Sequence, residues 1–384
     1  MAVASLDRVT IKGFKSIRSL ENFELTNLNV LIGANGAGKS NFIDFFRLLR
    51  AMMQLPLPNL ERSDLKTFIR INGGSDAFLF NGSKVTNQIE AAMFFGDNGY
   101  RFKLVPTTEE IFLINDEERY YKSDEKFYEG RSNKWKRIGS GNPIPELLRE
   151  KDRYEVEGKR SVAWHILESI DSWKIYHFHD TSFFASMRRS GLLYDHSYLR
   201  FDGANIAPYL WFLRNREEKI YWQIVNTIRT VAPFFDDFLF ETEMNGNDKV
   251  MLFWTQKGSD HPLKTYHLSD GTLRFICLVT ALLQPNPPST FIIDEPELGL
   301  HPYAIAILAE LIEAVSQDTQ LIICTQSPAL VDYFNPEDIV VVNREAGAST
   351  FQRLSQDELS VWLEEYSLGD LWQKNVIAAG PTNE

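Results

Sequence analysis

LIGANGAGKSNFIDFF, residues 31–46, decides the fold. Gly33 to Ser40 fits the pattern G-x-x-x-x-G-K-[ST] in full. It follows the apolar run LNVLI, read as a buried strand. It opens a stretch, residues 39–54, whose apolar residues recur three and four apart, as in an amphipathic helix. Strand, glycine loop and helix is the context in which this pattern cradles phosphates. Gly33, Asn35, Gly36, Ala37 and Gly38 would turn backbone amides toward phosphate oxygens, and Gly36 and Gly38 permit the tight path. Lys39, expected to be exposed, brings charge to the β- and γ-phosphates. The Ser40 hydroxyl is positioned for Mg2+, and Asn41 completes the set. The helix N-terminus adds its positive end. The ligands expected are ATP and Mg2+.

FIIDEPELGLHP, residues 291–302, ends an apolar strand in adjacent carboxylates. Successive residues of a strand face opposite sides, so the pair can take separate roles. Asp294 suits Mg2+ through water, and Glu295 suits the orientation or deprotonation of an attacking water.

Between these motifs lies LSDGT, residues 268–272, one apolar helix ahead of the carboxylate strand. At that spacing it resembles the signature motif of ABC-type ATPases, in a variant L-S-x-G-T. The resemblance implies that Ser269 and Gly271 contact the γ-phosphate of ATP held by a second copy, giving a homodimer on ATP or a higher oligomer. VTIKGFKSIRSLENFELTNLNVLIGANGAGKS, from Val9, is similar to the N-terminus of the RecF/SMC/OLD-like branch of that superfamily. DEPELGLHP fits this branch too, since transporter subunits carry Asp where His301 stands. CTQSPALVDYF, from Cys324, resembles the switch segment, with Gln326 where a γ-phosphate-sensing histidine is usual. An amide donates a hydrogen bond but does not become an imidazolium. With LGDLWQKN near the end, the overall match is closest to stand-alone AAA-21 ATPases. Gln54 and Gln88 are the candidates for a Q-loop glutamine, without a confirming pattern. Lys15 is either near the nucleotide or a surface lysine between strands.

The implied fold class is α/β. It is an ABC-type P-loop ATPase head with a mixed or parallel sheet core flanked by helices, a helical and antiparallel-β lobe, and no coiled-coil arms. Residues 1–100 and 261–384 are expected to form the two parts of the core, with an inserted lobe over 101–260. Short strands are expected over 68–130, an exposed charged loop over 131–160, mostly helix over 161–230 with a strand at WKIYHFH, and a hairpin over 237–267. Strands alternating with helices follow from 272 onward.

The chain has 384 residues and a formal charge of −12. That balance excludes a surface basic all over, of the kind that coats DNA, and leaves room for a local basic patch. Its two cysteines, Cys277 and Cys324, sit in apolar runs, which suits reduced thiols in a cytoplasmic protein. No signal core and no run of the roughly 18 apolar residues of a membrane helix appears, so no membrane partner is expected.

Weaker features carry two readings each. His177 and His179 in YHFHDTS are spaced as metal ligands, but strand packing accounts for them more simply. Arg188, Arg189 and Arg200 stand near aromatics and suit nucleic acid, or else a solvated loop or partner surface; KWKR, residues 134–137, reads the same way. Three functions compete: an ATP-driven switch that controls a partner effector in phage defence or DNA maintenance, a RecF-like DNA clamp, and a transporter subunit. His301 and the early GFKS disfavour the last. The segment after Ser327 is too short for the Toprim nuclease of OLD-type relatives, so the expectation is a nuclease-like effector, encoded nearby, acting in trans.

Overall fold

The computed structural model describes residues 3–54, 64–122, 135–153, 161–243 and 248–377. The chain begins with an antiparallel pair, β1 (Arg8–Phe14) and β2 (Ile17–Glu24), then the fully buried β3 (Leu28–Ile32) and helix α1 (Lys39–Met52). After α2 (Leu65–Ile71) come β4 (Ile89–Phe95), β5 (Asn98–Pro106), β6 (Phe112–Tyr121) and β7 (Trp135–Gly139). Helices α3 (Glu146–Arg153) and α4 (Val162–Ser172) lead to β8 (Lys174–Tyr176). The short β9 (Gly191–Leu192), helices α5 (Ile206–Arg216) and α6 (Glu218–Val231), and strands β10 (Phe235–Glu243), β11 (Lys249–Gln256) and β12 (Leu263–Lys264) follow. The rest alternates: α7 (Asp270–Leu282), β13 (Thr290–Asp294), α8 (Pro302–Ser316), β14 (Gln320–Cys324), α9 (Pro328–Val331), β15 (Ile339–Glu345) and β16 (Ala348–Arg353), then α10 (Gln356–Leu363) and α11 (Leu368–Gln373).

Among the described residues three sheets form. The central one has the order β16-β15-β3-β14-β13-β8 and is parallel except for the antiparallel edge strand β16. Its strands β3, β13 and β14 are buried along their whole length, and their side chains alternate between two cores. Val30, Ile32, Ile293 and Ile323 face one core with α5 to α8. Leu31, Ile292, Ile322 and Val342 face the other, with α1, α4 and the antiparallel sheet β2-β1-β4-β5-β6-β7. Helix α1 fills that second core with Phe42, Phe45 and Phe46, all without exposure. The Phe46 ring meets Trp173 edge-on at 5.1 Å, and Phe45 meets Phe14 at 5.7 Å.

The α/β class with a mixed sheet is as expected. Among the described residues no helix is longer than the 15 residues of α8, so none is a coiled-coil arm, and none is long and apolar enough to cross a membrane. Local expectations failed in several places, among them residues 177–205, read as part of a mostly helical stretch, which hold only one 3-10 turn and β9. Residues 131–160, read as an exposed loop from their charge, hold β7 and α3 within the described part; β7 pairs with β6, and Leu147 of α3 is fully buried. Residues 65–71 form a helix capped by Asp64, whose side chain accepts from the Thr67 amide. Strand β16 had no period-2 signal because it is an edge with half-buried polar residues. The division drawn at residue 100 falls inside the β4–β5 hairpin, and β8, from the middle of the chain, completes the central sheet.

Phe46 joins helix and sheet, so Phe46→Ala should cost about 3–5 kcal/mol. A lowered denaturant midpoint in chemical unfolding checks this; an unchanged midpoint would show that the site collapses around the loss.

Candidate functional site

The phosphate loop leaves the end of β3 and is shaped from beneath by chain that comes much later in sequence. Gly38 adopts φ 118°, and a Cβ there would lie 2.0 Å from Ser349 Oγ and 2.8 Å from Ser16 Oγ. Only glycine fits such a position. Ser349, on β16, donates to the Ala37 carbonyl at 2.5 Å and shares a 2.6 Å hydrogen bond with Ser16. The Asn41 amide donates to Ser16 Oγ at 2.7 Å, so this side chain braces the loop from below. Gly33 and Ala37 are buried, whereas Asn35, Gly36 and Ser40 are exposed at the loop's outer face.

Lys39 is not exposed as expected: it is 6% accessible, and Nζ donates to the carbonyls of Gly33 at 2.6 Å and Ala34 at 3.2 Å. Burial lowers its pKa, opposed by Glu295, Asp294 and Glu297. The ammonium is held by the loop's own carbonyls, and the carboxylates across the site act on it only through their charge. Lys15, in the β1–β2 turn, pairs with Asp44 of α1 at 2.5 Å. That bond ties the turn to the helix.

Asp294 ends β13 and is buried; burial, and then the charge of Glu295, raises its pKa. Glu295 follows with φ 47°, a left-handed conformation that a glutamate adopts at a cost. Its amide donates to the Cys324 carbonyl at 2.8 Å, which locks the turn to β14. Gln326, just past β14, donates its side-chain amide to Glu295 Oε1. The sequence pair thus meets across the sheet.

Glu297 escaped the sequence reading, and His177 and His179 were read there as metal ligands or strand packing, not as neighbours of the carboxylates. Glu297 accepts from Thr325 Oγ1 at 2.7 Å and from the Gln326 amide at 3.0 Å, while its Oε2 is buried without a hydrogen bond; burial pushes its carboxyl up. The alternation D-E-P-E was the available signal. His177 and His179, just after β8, lie against each other with ring centroids 3.7 Å apart and planes tilted by 32°. His177 Nδ1 lies 3.7 Å from Asp294 and His179 Nε2 lies 3.7 Å from Glu295. Strand packing alone does not describe them, because they stand over the carboxylates. No group of three or more His, Cys, Asp or Glu among the described residues could hold a metal, so the pair forms no metal centre of that kind. His177 is pushed down to about 4 by burial, then by His179 and Arg47, and is neutral at physiological pH. Their signal was present only as i, i+2 spacing; their target depends on β8 lying beside β13. The Q-loop candidates stand apart from the carboxylates: the Gln88 side chain bonds Glu90, and Gln54 lies beyond the far end of α1.

Ser269 is the N-cap of α7 and accepts from the Thr272 amide at 3.1 Å. Both Ser269 and Asp270 are exposed, above a buried Leu268. A Cβ on Gly271 would lie 2.3 Å from the Gly299 carbonyl, so the helix start packs directly on the loop that follows Glu295. Arg188 is buried, 6% accessible, which removes it as a surface contact for nucleic acid. Its guanidinium donates to Thr181 O at 2.9 Å and Thr265 O at 2.5 Å and pairs with Asp270 at 2.7 Å. Arg189 beside it is exposed. Arg274, one turn into α7, donates to the carbonyls of Phe178 at 2.8 Å, His179 at 3.1 Å, and Leu298.

Solved structures define the class. The chain matches an SMC head bound to the C-winged helix domain of ScpA, with a TM-score of 0.56 and 17% identity over 93% of this chain and 99% of that one. A second SMC head, from Pyrococcus furiosus with an extended coiled coil and bound to the C-terminal domain of ScpA, gives 0.53 and 16% identity over 94% and 99%. The fold is therefore that of SMC head domains. The family is narrower: residues 28–332 match AAA_21, described as "AAA domain, putative AbiEii toxin, Type IV TA system", and the chain belongs to it and is an ATPase. A curated relative, Structural maintenance of chromosomes protein 3 of Saccharomyces cerevisiae, is 39% identical over 72 residues; that match is 18% of this chain and 6% of the relative's length.

The raised pKa of Asp294 has a definite sign. A carboxyl whose folded pKa lies above its unfolded one disfavours the fold above the folded pKa, and that penalty vanishes below the unfolded pKa. Asp294→Asn should therefore melt higher than the parent at pH 7.5 in EDTA and lose Mg2+-dependent hydrolysis. Differential scanning calorimetry checks the first part; a lower melting temperature would overturn it.

Proposed function

We propose that two copies close around two ATP molecules, each held between the 33–40 loop of one copy and Ser269 and Gly271 of the other. Hydrolysis then reopens the pair. The observation that carries this reading is the exposed helix start at Ser269. It is braced by Arg188, seated on Gly299, and carries a hydroxyl and a helix dipole that suit a phosphate presented from outside.

In this reading the amides of Gly33 to Ser40 and Lys39 hold the phosphates. Ser40 and Asp294 would hold Mg2+: a hydroxyl and a buried carboxylate are hard oxygen donors, and the crowding of Asp294 by Glu295 favours a cation there. When bound, that ion would offset phosphate charge. Glu295 accepts the proton of the attacking water, and Gln326 orients Glu295 and donates toward the γ-phosphate. His179 and His177 back the carboxylates as neighbours.

The closing and opening serve as a switch for a partner effector in phage defence or DNA maintenance. The toxin–antitoxin description of the family supports a defence role. The SMC heads bound to ScpA domains offer a precedent for a head of this fold that carries a separate protein. Co-purification with the product of a neighbouring gene, with and without ATP, tests the switch. ATP-independent capture or none would remove it.

Glu295→Gln keeps size and removes the base, so hydrolysis should fall about a hundred- to ten-thousand-fold while ATP still binds. Light scattering should then show dimers accumulating with ATP; hydrolysis at the parent rate would strike Glu295 from the mechanism.

Ser269→Arg should bind ATP through its own loop yet fail to dimerise. Mixed with Lys39→Ala, it builds one whole site from two inactive chains, so hydrolysis should return to roughly half the parent rate if the sites act independently. Ser269→Arg retaining full dimerisation and turnover would reduce the motif to a helix cap.

A further inference from the structure

A second cavity lies beyond the carboxylates, on the far side of His177. Its volume is about 730 Å3, within the range of small-ligand pockets. The C-terminal half of α1, the outer edge of β8 and the segment 198–202 enclose it. The phosphate loop sits at the N-terminus of α1, whereas Arg50 and Gln54 stand at and beyond its C-terminal end. A helix of 14 residues spans about 21 Å, so the two places are separate.

The lining has an unusual composition for an acidic chain. Arg47, Arg50, Lys174 and Arg200 face one carboxylate, Asp202. All four cations have contacts within the chain, those of Arg47 and Arg200 being ion pairs with Asp44 at 2.8 Å and Asp195 at 2.9 Å. Aromatic faces stand among these cations: Phe68, Tyr198 and Phe201. Lys174 Nζ lies 4.6 Å over the Tyr198 ring, and Phe201 is 62% exposed at the rim.

The wall is built rather than incidental. The His177 amide donates to the Phe201 carbonyl at 2.9 Å, which fastens the segment along the edge of β8. Asn205, 1% accessible, accepts from the Arg200 amide at 2.8 Å and donates to the carbonyls of Asp195 at 3.0 Å and Tyr198 at 2.7 Å. A site fixed in this way loses little entropy when a ligand enters.

We propose that this cavity binds a nucleotide-class ligand, a phosphate ester that carries an aromatic base. Guanidinium groups bind phosphate oxygens in pairs, and exposed rings stack bases without regard to sequence. The same chemistry is offered by a free mononucleotide and by one nucleotide of a single strand. Because His177 lines the cavity and also lies 3.7 Å from Asp294, an occupant here adjoins the ATPase carboxylates through one side chain.

The test uses the full chain carrying Lys39→Ala, so that the phosphate loop contributes little. Calorimetric titration with AMP, with a single-stranded oligothymidylate and with inorganic phosphate gives the affinities. The expected result is saturable binding of AMP or of the oligothymidylate at one site per chain, at least fivefold tighter than phosphate. Binding of AMP identifies a free nucleotide as sufficient, and binding of the oligothymidylate alone identifies a strand. Phe201→Ala and Lys174→Gln should each weaken it roughly fivefold or more. Phe201→Tyr, which keeps the ring, should retain it, and so should Arg189→Gln elsewhere on the surface. The proposal is overturned if no probe binds, if phosphate binds as tightly as AMP and the oligothymidylate, or if Phe201→Ala and Lys174→Gln leave affinity unchanged. These outcomes are independent of whether the chain dimerises on ATP.

Discussion

The contact between Gly38 and Ser349 is the constraint on which the site depends. A glycine loop has no intrinsic shape, because each glycine admits many backbone states. Here hydrogen bonds hold the loop, because the Ser349 hydroxyl donates to the Ala37 carbonyl and meets Ser16, and the same hydroxyl lies where a Gly38 side chain would start. The β15–β16 hairpin that carries Ser349 joins the sheet through β15 and β3, the strand that launches the loop. Closing the C-terminal part of the chain onto β3 therefore also braces the 33–40 loop.

Around that cradle the fold accumulates charge that it does not fully neutralise. Asp294 is buried and Glu297 half-buried, burial raises the pKa of both, and Glu295 stands in a strained backbone conformation between them. Lys39 is buried opposite, with its own pKa lowered by the same desolvation. Two neutral donors, Gln326 and the low-pKa His177, flank the group. Such a cluster lowers stability, and in the proposed function a phosphate and a cation placed there would gain more than they do in water.

Arginines connect this cluster to the exposed helix start. Arg188 fixes the segment before α7 from within, and Arg274 joins α7 to the His179 backbone and to the loop after Glu295. Each guanidinium bridges several carbonyls, so the start of α7 is tied directly to the backbone beside the carboxylates.

By itself the sequence determined the elements whose signals are local. The glycine loop on a buried strand, the carboxylate pair at a strand end, and the serine-led helix start all follow from residue type and spacing within about a dozen residues. The central α/β alternation from residue 272 onward was equally legible. Tertiary structure alone decided what those signals meet. Lys39 is buried because the loop folds over it. Arg188 is structural because Asp270 and the Thr265 carbonyl lie beside it. His177 and His179 face the carboxylates only because β8 pairs with β13, a pairing that joins residues more than a hundred positions apart and that neither strand's own periodicity encodes.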